Sequence, residues 1–298
     1  MSETVIAPLE RADERLLALT YPRFRPIVAT APDANGPVRG MVAWRNGEPV
    51  GLALLGPTLE PGTWRLLSIA VARAWRRQGI GLALLRQAET WAATRGHLAL
   101  VAHHNDHMGG LDAWLSLLRR ARWPEPSWTF MRLFGPVTWA QEAAVEWTTL
   151  LRRLAACGFG ATAWEDRSEA DQAAIEILLT DVSPGFNPQW AEPILAGPSI
   201  LIREHGRVVG WVLASQGAEP GTVYYPAGFV VARLQRGGWL IGGLVEACRR
   251  QARIMGNAGV SCFQTAADNH AMQSVMRRRL DKWTLRRDRQ FETRKTPD

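Results

Sequence analysis

Two short segments concentrate the chemistry this chain could do. The first, "RRQGIG" at 76–81, sets Arg76, Arg77 and Gln78 ahead of two glycines spaced i and i+2, Gly79 and Gly81. Glycines so spaced let backbone approach a ligand with no Cβ between them, and N–H groups at a helix start attract an anion. Neighbouring arginines can add charge-assisted hydrogen bonds. The second segment, "VAHHNDHMGG" at 101–110, crowds His103, His104 and His107 around Asn105 and Asp106. Imidazole gives and takes protons near neutral pH. Without a ligand, the same residues would make a plain strand-to-helix turn and a solvated strand end. The glycine segment is not a nucleotide P-loop, since no Gly-Lys-Ser/Thr follows, nor is it Gly-x-Gly-x-x-Gly. His-His-x-x-His has neither helical i, i+4 spacing nor a further ligand cluster, so no metal site is expected.

The elements that must position these segments read clearly. An apolar run at 63–72 predicts a strand, the spacing at 81–96 a helix ending at Gly96, and "LALVAH" at 98–103 a second strand. The pattern then recurs. Gly47, Gly51 and Gly62 reappear as Gly206, Gly210 and Gly221 at an offset of 159; "VAR" at 71–73 and 231–233, and Trp123 and Trp283, match at 160. An offset of that length is a domain, not a solenoid unit. The expected arrangement is therefore two tandem domains, 1–137 and 161–298, joined by a connecting helix at 138–160, which opens with Thr138 and Gln141 in capping-box spacing. The equivalent elements of the second copy fall at 222–232, 242–256 and 260–265. Strand, turn, helix, strand predicts an α/β class (α+β in detail), with a mixed sheet flanked by helices.

Composition narrows the setting. At 298 residues, 47% hydrophobic and 21% charged, a soluble globular protein is expected. No run approaches a membrane span, the N-terminus does not read as a signal peptide, and three sparse cysteines suit a reducing cytoplasm. The net charge of +7 is nearly all arginine, with lysine only at Lys282 and Lys295. It suits an anionic partner, and equally a GC-rich coding sequence. The run at 277–295 carries nine basic residues against three acids and reads as a last strand with one solvated basic face; nucleic acid is not the favoured partner.

"VARAWRRQGIGLALL" at 71–85 resembles the acetyl-CoA signature of the GNAT N-acetyltransferase superfamily, with Arg76, Gly79 and Gly81 in the signature places. The repeat extends the resemblance over nearly the whole chain, twice. It implies acetyl-CoA as co-substrate, its pyrophosphate on the backbone of Arg76, Arg77, Gln78, Gly79, Ile80, Gly81 and Leu82. It also implies a pantetheine arm along Ile69, Ala70 and Val71, with Asn105 nearby, and a small-molecule or protein amine as acceptor. The second copy departs from the pattern: Gln235 and Gly238 remain, but Leu240 replaces the last small residue and Trp239 stands in the loop. That copy reads as a degenerate GNAT-like domain.

The family often supplies its acid from a tyrosine in the last helix, a place that falls at Leu118 here and near Met276 or Arg278 in the second copy. The tyrosines are Tyr21, Tyr224 and Tyr225, none of them there. His104, His103 and His107 become the candidates for acid and base, with Ser116 and Glu60 behind them, and strand alternation lets only one of His103 and His104 face a cleft. The expected function is acetyl-CoA-dependent N-acetyl transfer by the first domain of a cytoplasmic monomer or homodimer. A non-catalytic CoA-binding scaffold and an RNA- or tRNA-linked acyltransferase are the alternatives.

Overall fold

In the computed structural model, residues 3–30, 38–180, 182, 186–191, 193–217 and 219–296 are described. The chain forms two compact units, Met1–Thr129 with Arg289–Asp298, and Phe130–Asp288.

In the first unit the strands lie in the order β1 (Val5–Pro8), β2 (Arg39–Arg45), β3 (Glu48–Pro57), β4 (Thr63–Val71), β5 (Ala99–Asn105) and β12 (Arg286–Lys295). Asn46 and Gly47, both at positive φ, make the tight β2–β3 turn. Helix α2 (Ile80–Thr94) buries Ile80, Leu84, Leu85, Ala88 and Ala92, a stripe at helical spacing, against one face of the sheet. Each leucine so buried contributes about 1.5–3 kcal/mol. A Cβ on Gly51 of β3 would stand 2.9 Å from Leu84 Cδ1, so glycine there lets helix and strand close. On the other face, short 3-10 turns and α1 (Arg25–Thr30) cover Val42, Leu52 and Leu54. Helix α3 (Leu111–Arg120) follows β5.

β4 is parallel to β5 only over Thr63–Leu66 against Ala99–Ala102. Just beyond, the β3–β4 register shifts between Leu54/Ser68 and Leu55/Leu66, which leaves Leu67 as an extra residue. Such a bulge bends its strand and increases its twist, and β4 leaves β5 at this point.

The second unit repeats the plan in the order β6 (Ser127–Pro136), β11 (Val260–Ala266), β10 (Thr222–Val230), β9 (Arg207–Gln216), β8 (Ile200–Glu204) and β7 (Phe159–Ala163). Its helices are α4 (Trp139–Glu146), α5 (Thr148–Ala156), α6 (Glu169–Leu179), α7 (Trp239–Met255) and α8 (His270–Val275). Its core includes Trp139, Trp147, Trp239 and Trp283.

Two sequence expectations are corrected. Residues 138–160 are not one connecting helix: they form α4 and α5, broken at Trp147, and lead into β7, all within the second unit; Thr138 makes no side-chain cap. The boundaries near 137 and 161 also shift, because the two halves exchange their last strands. β6, encoded at the end of the first half, pairs antiparallel with β11 of the second unit, and β12, the end of the chain, pairs antiparallel with β5 of the first. Strand pairing is decided by long-range register, which a sequence offset between repeats does not report.

Candidate active site

The glycine-rich turn joins a strand to a helix. β4 ends at Val71, a 3-10 turn over Arg73–Trp75 follows, and α2 begins at Ile80. Arg77 (φ 65°) and Gly79 (φ 83°) both have left-handed backbone, the kind of conformation in which successive N–H groups can cradle an anion. The first N–H groups of α2 lack helical partners, as in any helix, and face an anion with the favourable dipole. A Cβ on Gly79 would meet nothing within 4 Å, and one on Gly81 nothing nearer than 3.7 Å: the mouth of α2 is open.

Side chains brace this loop. Arg76 donates through Nε to the Val71 carbonyl at 3.0 Å, tying loop to strand end rather than reaching outward with that nitrogen. Arg45 of β2 donates to Gln78 Oε1 and stacks its guanidinium over the Trp75 ring at 4.7 Å. Arg76, Arg77 and Gln78 are exposed. The Ala72 N–H bonds back to Val50 of β3, so by alternation Ile69 and Val71 turn their N–H and C=O groups to the splayed side of β4; Ala70 faces its β3 partner Leu52.

The three histidines separate. His104 is buried, shares its face with Leu100 and Ala102, accepts the Trp114 indole N–H at Nδ1 (3.3 Å) and stacks on Phe291 of β12 at 5.3 Å. Burial, with the neighbouring His103, pushes its pKa down. His103 lies on the opposite face of β5 and is the first β5 residue beyond the last β4 pair. Its Nε2 is 2.7 Å from Glu292 Oε2, directly across the β5–β12 ladder. His107 is exposed in the turn after β5, and Asn105 Oδ1 accepts its backbone N–H, so the Asn105 carbonyl oxygen is used as a turn former. Leu118 is buried in the core, Glu60 is bound bidentately by Arg294, and Ser116 is half-buried on α3.

In the second unit the corresponding mouth is filled. Gly238 keeps the left-handed backbone (φ 84°), yet a Cβ there would meet Leu150 Cδ1 at 2.9 Å. Trp239 is buried against Phe159, and Leu240 lies against Gly228 of β10, the equivalent of Ile69. Gln235 repeats the Arg76 contact, reaching the Val230 carbonyl at 3.5 Å. Tyr224 and Tyr225 are sheet residues: one ring lies under Arg132, and the other's hydroxyl donates to buried Gln251.

Glu292 escaped the sequence reading. It is 189 residues from His103 and sits in a run dominated by arginine. The basic face expected for that run is largely neutralised: Arg294 binds Glu60, Lys295 binds Glu89, Arg289 binds Asp106, and Arg286 binds Glu219.

Comparison with known proteins bears on family and fold. Residues 9–111 match the acetyltransferase (GNAT) family model. No curated protein matches the sequence. Among similar solved structures is a tandem GNAT protein from the clavulanic acid biosynthesis pathway, at 16% identity over 99% of each chain and a TM-score of 0.65. Another is a GCN5-related glucosamine N-acetyltransferase region of a fungal multi-domain β-N-acetylglucosaminidase: 12% identity, 98% of this chain and 38% of that one, TM-score 0.72. A GCN5-related N-acetyltransferase from Sphaerobacter thermophilus matches at 14% identity over 88% and 81%, TM-score 0.56. Identities so low speak for fold alone: residues 9–111 match the GNAT family, and the chain as a whole has the fold of a tandem GNAT protein.

Proposed function

We propose that the chain is an N-acetyltransferase that binds acetyl-CoA in its first unit only. The observation that carries this reading is the contrast between two homologous helix mouths. That of α2 is open behind Gly79 and Gly81, whereas that of α7 is closed by Leu150, Trp239 and Leu240. The backbone of 76–82 offers N–H groups to a pyrophosphate, and the splayed side of β4 offers Ile69 and Val71 to an amide-bearing arm. The Val71 carbonyl is already engaged by Arg76, so its N–H is the group available there.

Among the histidines, His103 is the one suited to take a proton. It stands beside the splay and is partly exposed, whereas His104 is walled in by Trp114 and Phe291. The acceptor's ammonium gives its proton to His103. The freed amine attacks the thioester carbonyl carbon, the C–N bond forms and its nitrogen gives up a second proton to solvent, the C–S bond breaks, and CoA leaves as a thiolate that takes a proton from solvent. Leu118, in the place of the family's tyrosine, has no proton to give.

Mass spectrometry of the purified protein for co-purified CoA, followed by an amine panel with free-thiol detection, tests the reading. Acetyl-CoA binding with amine-dependent thiol release is expected. Binding without release would favour a CoA-binding scaffold, and no binding would overturn the assignment altogether.

A further inference from the structure

We propose that Glu292, on the last strand of the chain, is the positioning residue for His103. It holds the neutral imidazole with its proton on Nε2 and leaves Nδ1 to accept the proton of the acceptor amine. The inference rests on the acetyltransferase reading for its chemical consequence, but not for its geometry.

Three observations carry it. First, Glu292 and His103 are register partners in the β5–β12 ladder, with Oε2 and Nε2 2.7 Å apart. Nε2 is thereby committed to a carboxylate, which accepts and does not donate when ionised. Second, Glu292 stays ionised. Its pKa is lowered by the hydrogen bond from His103, against a smaller opposing effect of burial, with Arg294 of the same strand and Arg65 of β4 assisting. The other titratable groups about the ring are His104 on the far face of β5, Asp106 in the following turn and Glu60, which is held by Arg294.

Third, the second unit has the same cross-strand contact without the chemistry. At the equivalent register position Gln264 of β11 faces Arg132 of β6, and Arg132 donates through Nε to Gln264 Oε1 at 2.9 Å. A polar pair at this place therefore ties the exchanged strand into either sheet. Only the first unit builds it from a histidine and a carboxylate, the combination that fixes a tautomer and stabilises an imidazolium. The consequence is architectural: the first unit's acid–base pair is incomplete without residues from the chain's end.

The test uses the full chain, labelled with 15N-histidine, and three variants. Long-range 1H–15N spectra at pH 8 should show His103 protonated on Nε2, assigned by its loss in His103→Gln, and a mixed tautomer in Glu292→Gln. The kcat of Glu292→Gln should fall on the order of 10²-fold, within the range of general acid–base effects, with KM for acetyl-CoA unchanged. His103→Gln combined with Glu292→Arg rebuilds the second unit's pair, and should keep the melting temperature while abolishing turnover. A wild-type His103 protonated on Nδ1, or a Glu292→Gln chain with unaltered spectrum and kcat, overturns the proposal. The spectra need no acceptor, so an Nε2–H tautomer in a chain that acetylates no amine would sink the enzymatic reading and leave the positioning role standing.

Discussion

Lys295, the last residue of β12, donates its Nζ to Glu89 Oε2 of α2 at 2.9 Å and to the Ala121 carbonyl at 2.9 Å. Both charged side chains are largely buried, and Trp123 Nε1 donates to the other Glu89 oxygen at 2.6 Å. The helix that follows the glycine-rich turn is thus anchored by β12. Replacing Lys295 with methionine should cost about 1–3 kcal/mol, because Glu89 loses a charged partner in a dry setting; chemical denaturation measures it.

Strand exchange changes what a fragment can do. A chain ending at 137 has no β12, so β5 becomes an open edge beside His103. That fragment is expected to aggregate or to lose cooperative melting, and fusing residues 286–298 to it through a flexible linker should restore a single transition. A fragment as stable as the intact chain would contradict the pairing.

The loop makes a sharper prediction. Gly79→Ala places a side chain at φ 83°, which costs about 1–2 kcal/mol and turns the following N–H groups. Calorimetry should show acetyl-CoA affinity falling at least about tenfold, the equivalent of roughly 1.4 kcal/mol. Gly81→Leu, which copies Leu240 of the second unit, should abolish binding and leave the circular dichroism spectrum unchanged.

Stoichiometry separates the two units. Wild type should bind one acetyl-CoA per chain. In Gly238→Ala the new Cβ meets Leu150 at 2.9 Å, so the second unit should be destabilised while acetyl-CoA affinity is kept. Two equivalent sites would refute the asymmetry.

His104 gives the first unit a pH-dependent stability of known sign. Its folded pKa is depressed by burial, so the unfolded chain takes up the proton first as pH falls. Stability should therefore decline as pH drops through the ordinary histidine range, about 6.5. Denaturant midpoints at pH 8, 7, 6 and 5 in wild type and His104→Leu measure the slope, which the variant should flatten.

In the second unit the sign comes from a carboxylate. Asp171 closes the capping box of α6 with Ser168 and is gripped by Arg203 through two contacts of 2.7 and 2.8 Å, which holds its pKa far below the usual carboxylate range. Its contribution is complete above the unfolded carboxylate value and is lost as pH falls below about 4. Asp171→Asn should lower the melting temperature at pH 7, by an amount that shrinks only gradually as pH falls below about 4.

Local order decided much of this protein, and that part was legible in the residues. The strand–glycine turn–helix order around 76–81, the duplication and the degenerate mouth around Leu240 all rest on backbone freedom and hydrophobic periodicity, which act over a few residues. The alternation rule likewise separated His103 from His104, though not which of them faced the core. That needed Trp114 and Phe291, which arrive from α3 and β12. Nor could the exchange of β6 and β12, or the pairing of Glu292 with His103, be read along the chain. Cross-strand partners are chosen by register between segments 189 residues apart, and the energy of that choice lies in tertiary contacts that no local pattern encodes.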